Sequence, residues 1–376
     1  MTWMIVAGDF TPLGGMDRAN HALATYLGGR EEVHLVTHRA WPDVATLPGV
    51  GVHAVPRPFR RHLLGAPLLA RAGRGLWRRL PQPGRRAVVN GGNCLLPAAN
   101  WVHYLHAAAE PSASSPAGSV KNAFAHRRDR AAELAALSAA RVVICNSERT
   151  KRDVVERARV EPSRARVIYY GSDPAQFSRA TAVERAASRT ALGKSADVPI
   201  VGFVGALGDR RKGFDTLFAA WRDLCRSTPW DADLVVVGAG AELPKWRERA
   251  AAEGLERRMT FLGFRDDIPR LLAGFDLLVH PSRYEAYGLS VHEALCRGIP
   301  AIVSASAGVA EKYPAPLAGL LLADPDDPGE LADRLRAWRD NVDRVRAAVV
   351  PVSDALLDRT WERMAHDIVQ AVEAAA

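Results

Sequence analysis

The chain has 376 residues, of which 48% are hydrophobic and 24% charged, with a formal net charge of +8. That balance excludes a disordered or fibrous chain, and the length is generous for one core, so two domains of about 180 residues are expected. No apolar run nears the ~18 residues a membrane-spanning helix needs, the amino terminus lacks a charged leader and cleavage site, and Cys94, Cys145, Cys225 and Cys296 have no metal-ligand spacing. A cytoplasmic protein with reduced, mostly buried thiols is the expectation.

Short apolar runs alternate with helical patterns along the chain, the mark of parallel sheets covered by helices. Strands are predicted at Trp3 to Ala7, Val33 to Thr37, Val50 to Val55, Ala87 to Val89, Trp101 to Tyr104, Val142 to Cys145 and Val167 to Tyr170. A second set is predicted at Ile200 to Val204, Leu234 to Val237, Thr260 to Leu262, Leu277 to His280, Ala301 to Val303 and Leu320 to Leu322. The polar stretch 171–199 reads as the linker, which gives domains over 1–178 and 179–350. A last helix is predicted from Asp354 to about Ala374, capped by Ser353 after Pro351.

Three turns carry chemistry. The first strand runs into Gly14 and Gly15 ahead of a helical pattern from Met16 to Leu27, and adjacent glycines there let backbone approach a phosphate or sugar. The spacing is not that of the dinucleotide-binding fingerprint. The second set opens in the same way, with Gly205 followed by Arg210, Arg211, Lys212 and Gly213 before a helix from Phe214. Arg211 and Lys212 can stabilise charge developing on a departing diphosphate, although a basic run is ordinarily solvated surface. The third turn lies in Pro281 to Glu311, where the strand ending at His280 leads through Glu285 to Gly288 and a short helix from Leu289. The first N–H groups of that helix, at Leu289, Ser290 and Val291, favour a phosphate, and Glu293 one turn on can accept from a pair of sugar hydroxyls. An isolated glutamate pair is usually just exposed. Two carboxylates flanking an anion-binding helix start nevertheless suit a nucleotide sugar, with hydroxyls at both ends and phosphate between.

In order, Glu285, Tyr287, Gly288, Leu289, Glu293, Ala294, Gly298 and Pro300 resemble the signature of the retaining family 4 glycosyltransferases with the GT-B fold. The resemblance implies an α/β architecture of two Rossmann-like domains facing across a deep cleft, the first for acceptor and the second for nucleotide sugar, with residues 351–376 returning to the first. It implies Glu285 against the donor sugar, Glu293 on the ribose, Gly288 to Val291 at the phosphates, Phe264 and Arg265 beside the base, and Gly14 and Gly15 on the cleft floor. His106, after the fifth strand, matches a family histidine near the donor sugar, with His103 in reserve. Many members place an arginine where this chain has Ala206, which shifts that role to Arg210 or Arg211, and Ala307-Gly308 stands where Gly-Gly is more common. The implied chemistry is metal-independent retaining transfer of a hexosyl unit from a UDP-sugar or GDP-mannose, by orientation and electrostatic stabilisation.

Charge points to the acceptor. No Asp or Glu occurs between Asp43 and Glu110, while residues 57–86 interleave Arg57, Arg60, Arg61, Arg71, Arg74, Arg78, Arg79, Arg85 and Arg86 with Leu63, Leu64, Leu68, Leu69, Leu76, Trp77 and Leu80. Such a segment suits an anionic membrane surface and a glycan or lipid-linked acceptor, or equally a helix packed by its leucines under solvated arginines. A catalytically silent nucleotide-sugar-binding protein is the alternative. A nucleic-acid-binding protein has only the basic charge in its favour, with no recognition motif, so no nucleic acid is expected.

Overall fold

In a computed structural model, residues 1–109, 116–227 and 230–375 are described, with 116–122 given as helix backbone. Two compact units divide the chain, one taking the residues up to Gly171 and those from Arg359 onward, the other Ser172–Asp358.

The first unit contains β1 (Thr2–Val6), β2 (Asp9–Phe10), β3 (Glu32–Thr37), β4 (Arg39–Ala40), β5 (Val50–Ala54), β6 (Arg85–Asn90), β7 (Ala99–Val102), β8 (Val142–Cys145) and β9 (Ala165–Val167). Its main sheet has seven strands in the order β5-β3-β1-β6-β7-β8-β9, and the pairings are parallel. The second unit contains β10 (Ile200–Val204), β11 (Asp233–Val237), β12 (Met259–Gly263), β13 (Leu277–His280), β14 (Ala301–Ser304) and β15 (Leu321–Leu322), ordered β12-β11-β10-β13-β14-β15, again parallel. Each predicted strand overlaps an observed one, because runs such as Val142-Val143-Ile144-Cys145 are buried on both faces and helices cover the sheets, but the run predicted at Val167 to Tyr170 shares only Val167 with β9, which lies earlier at Ala165–Val167. The short β2–β4 ribbon had no apolar run to announce it.

In each unit the chain winds outward from the first strand in one direction and then reverses, between β1 and β6 and between β10 and β13. Open α/β sheets bind ligands at the carboxyl ends of the strands flanking such a reversal.

Two expectations need correction. The 171–199 stretch is packed structure: Ser172 is buried, and helix Ala182–Ala191 carries Arg185 and Arg189 onto buried Asp276 at 2.5 and 3.0 Å. A polar composition looked like a linker because its arginines find their carboxylate 87–91 positions away, where no local pattern could show it. The predicted terminal helix is two helices, Val342–Asp358 with Pro351 inside it, and Trp361–Ala374. Ser353 is no cap; it is buried and donates to the Cys296 carbonyl at 2.7 Å, and Thr360 caps the last helix by accepting from the Arg363 N–H.

Candidate active site

The second unit builds its site from the two loops at the β10/β13 reversal. After β10 the chain makes a single 3-10 turn, Arg210–Lys212, whose N-cap Asp209 accepts from the Arg211 N–H, and then Gly213 at φ +68°. A Cβ on Gly213 would lie 1.8 Å from the Pro281 carbonyl oxygen, so only glycine lets this loop rest against the one after β13. That approach brings Lys212 Nζ to 2.6 Å from Glu285 Oε2. His280, buried at the end of β13, lies 3.3 Å from the same oxygen.

Burial works to raise the Glu285 pKa, but the Lys212 charge and the His280 hydrogen bond outweigh it and hold the carboxyl well below its ordinary range. Burial, the largest influence on His280, lowers that imidazole, so it meets the carboxylate as a neutral N–H donor. The result is an ionised carboxylate with a lysine ammonium beside it, at the strand ends where a ligand is expected.

Gly288, at φ +114°, caps helix Leu289–Cys296. A side chain there would press on Val309 and Glu285, with Val309 Cγ1 at 3.0 Å from the added carbon. The turn is clipped to the next loop by Val309 N–H to the Tyr287 carbonyl at 2.7 Å and Gly308 N–H to the Glu285 carbonyl at 3.2 Å. Gly308 and Val309 thus make the contact with their backbone, while the Ala307 N–H turns to the Ser304 carbonyl at 2.9 Å. The helix's internal bonds begin with His292 N–H to Gly288 O, which leaves the amides of Leu289, Ser290 and Val291 as the first-turn donors. Glu293 is buried on this helix at 8% exposure.

Tyr287 is buried and faces the opposite way. Its hydroxyl lies 2.7 Å from His292 Nδ1, His292 Nε2 lies 2.7 Å from Ser172 Oγ, and Ser172 donates to the Leu356 carbonyl at 2.7 Å. Since the serine proton is committed to Leu356, the serine oxygen accepts from His292 Nε2–H, and Nδ1 accepts from tyrosine. This relay fixes the glycine turn from beneath.

The other predicted residues divide. Arg211 is turned onto Asp209 of its own loop through two bonds, Nε at 2.9 Å and Nη2 at 2.5 Å, whereas Lys212 faces Glu285. Gly205 donates its N–H to the Val237 carbonyl at 3.0 Å, placing it between the β10 and β11 ends. Phe264, past the end of β12, is 73% exposed, and Arg265 chelates Asp267 at 2.7 and 2.6 Å.

In the first unit, His106 Nδ1 lies 3.0 Å from Glu133 Oε1, and the His106 N–H donates to Glu133 Oε2 at 2.9 Å. Glu133, nearly solvent-free on helix Pro116–Ala139, thus fixes the ring so that Nδ1 donates and Nε2 is the available acceptor. His103, the reserve candidate, is a core residue: it sits 4.3 Å from the Trp101 ring, Nδ1 meets the Tyr170 hydroxyl, and burial pushes its pKa down to about 3. Gly14, at φ +79°, and Gly15 precede helix Met16–Leu27 as expected. Next to them Asp17 is raised to about 6 by burial and by Asp9, against the opposing pull of Arg39 and Arg57.

His280 and Glu133 were not foreseen. His280 ended a strand run and looked like its polar terminus, and Glu133 sat in a helix where a glutamate is ordinarily solvated. Among the described residues, no cluster of three or more His, Cys, Asp or Glu is placed to hold a metal ion, and no helix is long and apolar enough to cross a membrane.

Comparison with known proteins bears on both units. The family model for glycosyl transferases group 1 matches residues 198–341, and that for Glycosyltransferase Family 4 matches residues 13–176. The chain is 28% identical over 285 residues to the D-inositol 3-phosphate glycosyltransferase of Corynebacterium urealyticum, covering 72% of this chain and 65% of that one. It is 31% identical over 248 residues to the 2-deoxystreptamine N-acetyl-D-glucosaminyltransferase of Streptomyces fradiae, covering 62% and 55% respectively. For D-inositol 3-phosphate glycosyltransferases, the match spans 49% to 65% of the relative's length. Among solved structures, WaaG, a glycosyltransferase involved in lipopolysaccharide biosynthesis, has a TM-score of 0.78 at 19% identity over 99% of both chains. Anabaena HepE in complex with UDP and glucose has a TM-score of 0.73 at 20% identity, also over 99% of both.

Proposed function

We propose that this chain, which belongs to the group 1 glycosyltransferases with the GT-B fold, moves a hexosyl unit from a nucleotide-diphosphate sugar to an acceptor hydroxyl with retention of configuration. The observation that carries the reading is the Lys212–Glu285 contact at the β10/β13 reversal, in front of the Gly288 helix start. A donor diphosphate placed on the amides of Leu289 to Val291 meets the ammonium of Lys212 as charge develops on the leaving oxygen. Glu285, kept ionised, accepts from sugar hydroxyls, and Glu293 from the ribose. Arg211 joins only if it exchanges Asp209 for phosphate.

With lysine and helix amides meeting the diphosphate, the reaction runs without a divalent cation. UDP-sugars are the first donors to test, followed by GDP-mannose, because Anabaena HepE has been solved with UDP-glucose. His106, oriented by Glu133, belongs to the positioning of the reacting sugar. A lipid-linked or glycan acceptor is favoured by the start of helix His62–Arg79, where Phe59 is 86% exposed and Leu63, Leu64 and Leu68 are exposed beside Arg60 and Arg61. Apolar side chains flanked by arginines suit the face of an anionic membrane.

A donor screen by nucleotide release tests the proposal. Turnover with one donor, undiminished by chelator and with the anomeric proton of the product showing retention, is expected. Glu293→Gln should weaken donor affinity. Donor binding with neither transfer nor hydrolysis would favour a silent nucleotide-sugar-binding protein, and failure of Phe59→Ser or Leu64→Ser to reduce cosedimentation with anionic vesicles rejects the membrane part.

A further inference from the structure

The arginine-rich segment was read as one surface, but the structure divides it. Its last two arginines open β6, at the amino edge of the first unit's sheet, the edge opposite to Gly14 and His106. A cavity of about 570 Å³ opens there against the first residues of β6, β7 and β8 and the end of the last helix, with Trp77, Arg85, Arg86, Pro97, Arg141 and Val372 among its walls. Its volume lies within the roughly 300–1,000 Å³ typical of small-molecule sites.

Three arginines line this cavity, and no aspartate or glutamate is among its described lining residues. Arg85 spends its donors on the carbonyls of Trp77, at 2.5 Å, and Leu80, at 3.3 Å, and its guanidinium carbon lies 4.1 Å from the Trp77 ring centre. Arg86 donates from Nη1 to the Arg85 carbonyl at 3.1 Å, while its Nε is shielded from solvent without an acceptor among the described residues. None of the three arginines has a carboxylate partner among the described residues. Neutral carbonyls hold the guanidinium planes but do not cancel their charge, and a buried N–H donor without an acceptor is unfavourable.

We propose that this cavity is a second ligand site that binds a small organic phosphate. The exposed guanidinium of Arg141 matches phosphate geometry, Arg85 and Arg86 add positive charge behind it, and the tryptophan, proline, alanine and valine walls take an apolar or ring-shaped body. The volume exceeds what inorganic phosphate alone would fill. The site lies at the end of the first unit's strands away from the Gly14 and His106 loops, so its ligand is an effector of that unit and not a substrate of the reacting groups.

Phenyl phosphate is the probe, because it has a ring and a phosphate without being a nucleotide. Titration calorimetry on the full chain at low salt should show saturable binding, retained in Lys212→Ala. Arg141→Glu, at an exposed position that the fold tolerates, should weaken binding about tenfold or more, the size of one charge-assisted hydrogen bond. Arg86→Gln should weaken it while leaving the thermal melt in place. No binding to the wild type, or binding indifferent to both arginine changes, overturns the proposal. So does an Arg141-dependent association with phosphatidylglycerol vesicles in the absence of phenyl phosphate binding, which would place the phosphate on a lipid headgroup.

Discussion

The two units share the order of six sheet strands, to which the first adds β9, and they treat charge in opposite ways. At the amino edge of the second sheet, buried Asp276 meets Arg185, Arg189 and Arg346 at 2.5, 3.0 and 2.9 Å and also accepts from the Ile200 N–H, while Asp233 receives Lys194 at 2.9 Å and Arg258 at 3.4 Å. The corresponding edge of the first sheet sets Arg85, Arg86 and Arg141 around a cavity with no aspartate or glutamate among its described lining residues. The carboxyl edges differ as well. Glu285 stands beside a lysine and is driven toward the ionised form, whereas Asp17, through burial and then the charge of Asp9, is held protonated to about pH 6. A common scaffold therefore leaves the placement of charge free, and in this chain charge separates the roles of the edges: structural where it is paired, receptive where it is not.

The paired edge depends most on Asp276. Asp276→Ala leaves three arginines gathered without their anion and the Ile200 amide unsatisfied, so the second unit should lose about 3–5 kcal/mol, read as a drop in its urea midpoint. A loss below about 1 kcal/mol would mean that the paired edge is no more structural than the unpaired one.

Lys212→Ala probes the carboxyl edge. Removing a preorganised cation from a developing negative charge should lower kcat by about 10²–10³, which is about 2.7–4 kcal/mol. The same change removes the main support of the Glu285 carboxylate, so its pKa rises. In the wild type that depressed pKa contributes stability that is present above the ordinary glutamate range and lost as pH falls through it, so the variant should show a shallower acid-side decline.

How far this arrangement could be read beforehand depends on sequence distance. The β strands and the Gly288 helix start are local patterns, and they stand where the apolar runs and turn residues put them. Charge partners are not local. Lys212 and Glu285 are 73 positions apart, and each was recognised singly, without the contact between them. The His106 orienter is 27 positions on, in a helix whose pattern gives no sign that one glutamate is buried. Arg185 and Arg189 gave a linker its polar look because their anion is strands away. The basic segment was legible as charge and not as geometry: Arg57 turns to Asp9 at 3.3 Å, Arg85 turns to Trp77, and only the start of the 62–79 helix presents arginine with exposed leucine.

Asp17 gives a smaller effect of opposite sign. With a folded pKa near 6 against an ordinary 3.8, the folded chain holds a proton that the unfolded chain has released between those values. Wild-type stability therefore falls as pH rises through that window. Asp17→Asn removes the titration, so it should melt higher than the wild type at pH 7 and at the same temperature near pH 4. A variant that melts lower at pH 7 would show that the ionised carboxylate is held by Arg39 and Arg57, and the contrast with Glu285 would go.

The smallest effect belongs to the unpaired edge. Arg141 is exposed, and its charge faces the cavity shared with Arg85 and Arg86, so Arg141→Gln removes mutual repulsion and breaks no ion pair among the described residues. Surface changes of this kind ordinarily stay within about 0.5 kcal/mol. The expected sign is a slight gain at low salt that disappears near 0.5 M salt, where charges more than a few ångströms apart are screened. If the variant instead loses stability at low salt, Arg141 is as structural in the first unit as Arg189 is in the second. The amino edges would then differ in partners and not in purpose.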